Sequence, residues 1–257
     1  FSAAMTFLAL LTVFFLYKST RTEGAGKSFS EIWTALKKLC TQGRLIALIL
    51  IVTGFWVVQQ QMYASMPKYV IRMVGDDASP GWIANVNPFV VFVLVNFVTT
   101  LMKKRKALTS MTVGMFIIPF SALLMAAGNL FGNEPLLGFH PVIVMMIAGI
   151  ACQAIAECFI SPRFLEYFSL QSPKGEEGLY LGFSHLHSFF SSLIAFISAG
   201  FLLEIFCPDQ KKYPVEFEAV KGHAHYLWYV FFAVGLVSAI ALIIYGRVTK
   251  ERSENAG

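Results

Sequence analysis

The chain has 257 residues, 56% of them hydrophobic and only 14% charged, with 25 Phe, whereas an ordinary soluble domain carries about 25% charged residues. That balance, with a mean hydropathy of +0.65, excludes a soluble globular domain and marks a polytopic membrane protein. The net charge of +5 does not call for nucleic acid as a partner, because basic residues flanking membrane spans give the same sum.

Residues 1–17 (FSAAMTFLALLTVFFLY) are apolar, with no basic region ahead of them and no small-residue cleavage site behind. They read as a membrane helix and not as a signal peptide. The chain does not open on Met, so this helix is expected to be the last of an N-terminal half missing from the sequence. A polar linker, 18–43, follows. Within it, SFSEIWTALKKLC (28–40) puts Phe29, Ile32, Trp33, Leu36 and Leu39 on one face, with Glu31, Lys37 and Lys38 elsewhere. Such a helix lies along a membrane surface or against a partner helix.

A bilayer-spanning helix needs ~20 mostly apolar residues, and six further runs qualify, at about 45–72, 82–102, 107–128, 140–168, 180–206 and 225–247. Together they form a bundle over 44–248, followed by a tail over 249–257. With the first span leaving into the cytoplasm, 15 of the 20 Lys and Arg residues fall on the cytoplasmic side. They include the run Lys103-Lys104-Arg105-Lys106 and the tail residues Arg247, Lys250 and Arg252. The positive-inside pattern therefore expects an integral protein of the plasma (inner) membrane with a cytoplasmic C-terminus. Six spans behind a long basic linker are the layout of one half of a two-half secondary transporter.

Chemistry concentrates in the 140–168 run. PVIVMMIAGIACQAIAECFI (141–160) holds one ionisable carboxylate, Glu157. A charge at that depth costs roughly 2.5–3.5 kcal/mol on insertion scales, so it marks a functional site unless it only knits helices together. Gly149, Gln153, Glu157 and Ser161 recur at four-residue spacing on one slowly rotating face. Pro162 is expected to bend or loosen the end of this helix. In the 45–72 run, Thr53, Trp56, Gln60, Tyr63 and Pro67 form a second stripe. Gln60 reads equally as a cavity residue or an interhelical hydrogen bonder, while Gln59 and Gln61 read as packing residues. Asn85, Asn87 and Pro88 open the next run, either as an opened helix with free carbonyls or as a helix start with Pro in its first turn.

Ser184, Ser188, Ser191, Ala195 and Ser198 read as a packing stripe of small residues. His185 and His187 stand near its start, and His185 is a candidate proton carrier because histidine titrates near pH 6.5. His223 and His225 are expected to face water. Cys40, Cys152, Cys158 and Cys207 show no CxxC pairing and read as small apolar residues. The segment PKGEEG (173–178) is a tight turn that lacks phosphate-cradling spacing. No hydrolase order of Ser, His and Asp, no HExxH and no metal-ligand cluster occurs, so no cofactor is expected.

Four pieces resemble motifs of the proton-coupled oligopeptide transporter family, within the major facilitator superfamily. GFWVVQQQ (54–61) resembles its Phe-Trp motif, NVNPFVV (85–91) its Asn-Pro helix start, AECFISP (156–162) its Glu-Leu-x-x-Ser-Pro motif, and PKGEEGLYLGF (173–183) the turn that follows. The resemblance implies that Glu157 lines a central cavity and engages a peptide's amino end, with Trp56 and Asn87 also facing the substrate. The family's acidic residue after Phe-Trp is Gln60 here, and the superfamily's Asp/Arg signature is reduced to Lys103–Lys106.

The expected fold is all-α: the six-helix C-terminal half of a major facilitator fold, preceded by one helix and an amphipathic cytoplasmic linker helix. The expected function is proton-coupled secondary transport of a small, possibly peptide-like solute by alternating access, not catalysis. Substrate binding is assigned to Glu157, Gln153, Trp56, Gln60, Asn87 and Tyr63, and proton coupling to Glu157 and His185. The partners are the solute, protons, the lipid bilayer and the missing half. Two rivals stand beside this reading: a non-transporting sensor or scaffold that keeps the fold, and a membrane enzyme using Glu157 with His185 as acid and base, which requires the two within hydrogen-bond reach.

Overall fold

A computed structural model describes residues 2–16, 28–132 and 134–254. Most of the linker's first half, with Lys18, Arg21 and Lys27, and the last three residues of the tail lie outside the described residues. The chain separates into two compact units, residues 1–37 and 38–257.

The first unit holds α1 (Ser2–Leu16) and most of α2 (Phe29–Leu39). The start of α2 is a capping box: Glu31 N–H bonds to Ser28 Oγ at 3.3 Å and Ser28 N–H to Glu31 Oε2 at 2.8 Å. Each satisfies an amide that the first helical turn leaves open. Phe29, Ile32 and Trp33 are exposed along one side, and Lys37 Nζ lies 5.7 Å from the Trp33 ring centre.

Among the described residues of the second unit the regular structure consists of helices, apart from an isolated bridge between Leu136 and Phe139. In order they are α3 (Gly43–Gln59), α4 (Gln61–Ala64), α5 (Met66–Val74), α6 (Pro80–Ala84), α7 (Val86–Met102), α8 (Ala107–Ala127), α9 (Pro141–Gln171), α10 (Glu177–Ser184), α11 (Leu186–Phe206), α12 (Pro214–Val220), a 3-10 turn (Lys221–His223) and α13 (Tyr226–Glu254). Helices are what a membrane allows, since hydrocarbon offers no partner to an open N–H or C=O. Among the described residues six stretches are long and apolar enough to cross: Gly43–Ala64, Pro80–Met102, Ala107–Ala127, Pro141–Gln171, Glu177–Phe206 and Tyr226–Thr249. The described part of the first apolar helix, Met5–Leu16, is shorter.

Three of the expected spans are interrupted. The first breaks at Gln60 and again at Ser65, the second at Asn85 and the fifth at His185. Each break has a local cause. Pro88 has no N–H to give the carbonyl of Ala84, and the ladder resumes with Phe89 N–H on Asn85 O at 3.4 Å. At Ser184 the carbonyl takes the His187 ring at 2.6 Å, and the Ser188 amide turns to His185 O at 2.9 Å instead. By contrast α9 continues through Pro162 to Gln171 without a break in its helical assignment.

The centre of the bundle is α9, which packs on α7, α8 and α10, while α3 packs between α11 and α13 and α13 also backs onto α8. The α8–α9 approach is close because glycine stands on both sides. A Cβ at Gly114 would meet Ala156 O at 2.6 Å, and one at Gly149 would meet Ser121 O at 2.9 Å. Ser110 Oγ donates to Phe159 O at 2.8 Å across the same seam. The small-residue stripe that runs from the end of α10 along α11 is buried at Ser184, Ser191 and Ala195 and half-buried at Ser188 and Ser198.

Candidate functional site

Glu157 lies near the middle of the 31-residue α9, ~24 Å from its start at 1.5 Å per residue. Its carboxylate Oε2 accepts two hydrogen bonds, from Gln59 Nε2 at 2.9 Å and from Asn87 Nδ2 at 3.1 Å. Both donors sit beside helix breaks: Gln59 closes α3 and Asn87 is the second residue of α7. Asn87 and Gln59 are buried and Glu157 is half-buried. Among the described residues no Lys, Arg or His comes within ion-pair distance of this carboxylate.

One turn earlier on α9, the buried Gln153 secures the same break. The α3 ladder ends with Gln60 N–H on Trp56 O at 2.9 Å, and the next two carbonyls receive side-chain amides. Val57 O accepts from Gln61 Nε2 at 3.1 Å, and Val58 O from Gln153 Nε2 at 3.2 Å. The oxygens Gln59 Oε1 and Gln153 Oε1 are buried beside these donors without hydrogen-bond partners.

An aromatic group adjoins the network. The buried His187 ring lies 5.3 Å from Trp56, 4.9 Å from Phe164 edge-on and 5.9 Å from His185. A carbonyl only accepts, so the His187 Nδ1 that faces Ser184 O carries the proton. Trp56 Nε1 is buried without a partner.

The other assigned residues are spread. Gln60 turns from the carboxylate and donates to Ser192 Oγ at 3.2 Å. Tyr63, four residues past Gln59 and beyond the break, is 55% exposed. His185 is exposed and forms no hydrogen bond with Glu157, whose bonds go to Gln59 and Asn87. The acid–base pairing that a membrane enzyme would need is therefore absent. His225, expected to face water, is buried and bonded to Asn129. Cys158 and Cys207 are buried and Cys152 partly so, whereas Cys40 is exposed, and all four are free.

The model of the POT family matches residues 8–215. The chain belongs to the POT family. Comparison with curated proteins returns no match. POT family membership makes this an integral membrane transporter, of a class that moves peptides with protons and is not enzymatic. Gln59 was the partner of Glu157 hardest to see: three glutamines stand in a row, and only the fold decides which one turns to the carboxylate.

Proposed function

We propose that the chain is one half of a secondary active transporter that moves a small, peptide-like solute by alternating access, with Glu157 as its proton- and cation-responsive group. The observation that carries this reading is the pairing of Glu157: two neutral amides hold it, and no counter-charge offsets it among the described residues. Such a carboxylate can take a proton or the ammonium of a ligand, and each choice favours a different conformation in proportion to its differential affinity.

Amide partners suit both forms because an amide offers both donors and an acceptor. As the carboxylate, Glu157 accepts from Gln59 Nε2. As the neutral acid it would donate to Gln59 Oε1 after a half-turn of that amide, and that oxygen has no partner now. With Gln60 where the family carries an acid, the ligand's cationic end would meet one carboxylate instead of two. The basic excess supports a cytoplasmic C-terminus.

The test is Glu157→Gln in the transporter reconstituted in liposomes, with a labelled dipeptide as solute. Proton-driven accumulation should be lost while the protein stays monodisperse and folded. Accumulation at the wild-type level would sink the proposal. Absence of counterflow in the wild type would favour a sensor that keeps the fold.

A further inference from the structure

Where α8 begins and α9 and α13 end, a cleft of about 780 Å³ opens between the three helices, away from Glu157. Its walls are of two kinds. Arg105, Lys106 and Arg247 stand around it, and Leu170, Leu242 and Ile243 line its apolar side. The three cations are exposed, and none makes an ion pair or hydrogen bond among the described residues. The carboxylate in the wall, Glu166, is already held by the buried Arg163 at 2.5 Å. The positive charge of the cleft is therefore not offset from within. No side chain caps the start of α8, so its first amides add partial positive charge at the same end.

A basic rim at the end of membrane-spanning helices, continuous with an apolar wall, fits a ligand with an anionic head and a hydrocarbon tail. We propose that this cleft binds an anionic phospholipid. The headgroup phosphate lies among Arg105, Lys106 and Arg247, and an acyl chain runs along Leu170, Leu242 and Ile243. A soluble phosphate would use only the basic rim and would leave the apolar wall of Leu170, Leu242 and Ile243 without a partner. The orientation set by the basic excess puts the cleft in the cytoplasmic leaflet, where anionic lipids lie. The inference rests on the membrane character of the chain and not on the role of Glu157.

The test is native mass spectrometry of the purified, delipidated protein, offered phosphatidylglycerol or phosphatidylcholine with the same acyl chains. Phosphatidylglycerol should be retained at least ~5-fold better, as charge pairing at a basic site requires. The triple variant R105Q/K106Q/R247Q should lose that preference, whereas K103Q/K104Q, which removes charge beside the cleft, should keep it. Gly246→Leu provides a second variant with all charges intact. Gly246 lines the cleft and a Cβ there meets nothing within 4 Å, so a side chain can start into the cleft from this position, and leucine should also lower retention by occupying the space of the acyl chain. Equal retention of the two lipids, a preference that survives the triple variant, or unchanged binding in Gly246→Leu would overturn the proposal. Displacement of phosphatidylglycerol by excess inorganic phosphate would overturn it in favour of a soluble-anion site.

Discussion

Replacing Gly114 by alanine tests whether close packing of α8 on α9 sets the geometry at Glu157. The new Cβ would stand 2.6 Å from Ala156 O, 2.7 Å from Ile160 Cγ1 and 3.1 Å from Phe159 Cβ. Ordinary contact begins at 3.4 Å, so the nearest pair falls short by the difference from 2.6 Å, 0.8 Å. A backbone oxygen cannot rotate away as a side-chain tip can, so the helices must part. Overpacking of this kind costs about 1–3 kcal/mol. At roughly 2–4 °C per kcal/mol for a unit of this size, thermal unfolding in detergent should fall by about 2–12 °C. Ala156 adjoins Glu157, whose hydrogen bonds of 2.9 and 3.1 Å lie within ~0.3 Å of the limit for a good N–H···O bond. Solute uptake should therefore fall further than stability alone accounts for. Gly200→Ala is the control, because nothing stands within 4 Å of a Cβ there. Gly114→Ala with wild-type melting and uptake, or no worse than Gly200→Ala, would refute the reasoning.

Gln153→Met keeps the size of the side chain but strands the Val58 carbonyl, a loss of about 1–3 kcal/mol for a buried group left without its partner. Its melting temperature should fall by several degrees, and a melt equal to wild type would show that the carbonyl finds another donor. Acidification should act through His225, whose Nδ1 faces Asn129 Nδ2 at 3.1 Å. That amide nitrogen is fixed in place by the carbonyls of Lys221 and Gly222, so the ring nitrogen must accept. Burial, and then His223, hold His225 below the ordinary histidine value of 6.5. The unfolded chain thus takes the proton first, and stability should decline as pH falls from about 6.5 through the folded value, with no change on the alkaline side. Unfolding curves taken on either side of the histidine range, from about pH 8 to about pH 5, should show this slope flattened in His225→Phe; an unchanged slope would place the proton elsewhere.

The all-helical architecture and the six spans were legible because hydropathy records length and composition, which are what a bilayer selects. Glu157 and Gln153 were legible because polar groups inside an apolar run are few. What could not be read was direction. The stripe Thr53-Trp56-Gln60-Tyr63 assumed an unbroken period of 3.6, whereas beside the break at Gln60 it is Gln59 that reaches the carboxylate and Gln60 that bonds Ser192. The break at His185 likewise leaves that ring exposed and turns His187 inward. Pro88 announced the break at Asn85 and Pro67 the one at Ser65 through their missing amides, but Gln60 and His185 carry no such signal, because side chains (Gln61 and Gln153 at Val57 and Val58, His187 at Ser184) take the carbonyls that the ladder gives up.

The break beneath Trp56 has a mechanical consequence. Elsewhere along α3, flexing strains backbone hydrogen bonds that reinforce one another. At Val57 and Val58 the carbonyls are held by glutamine side chains, whose bonds are worth about 0.5–1.5 kcal/mol each and which can swing to new partners. The segment from Gln61 onward is thus joined to the rest of its span partly by side-chain bolts. One of those bolts, Gln153, stands one turn from the carboxylate, so the stiffness of the joint and the occupancy of Glu157 share a single helical face.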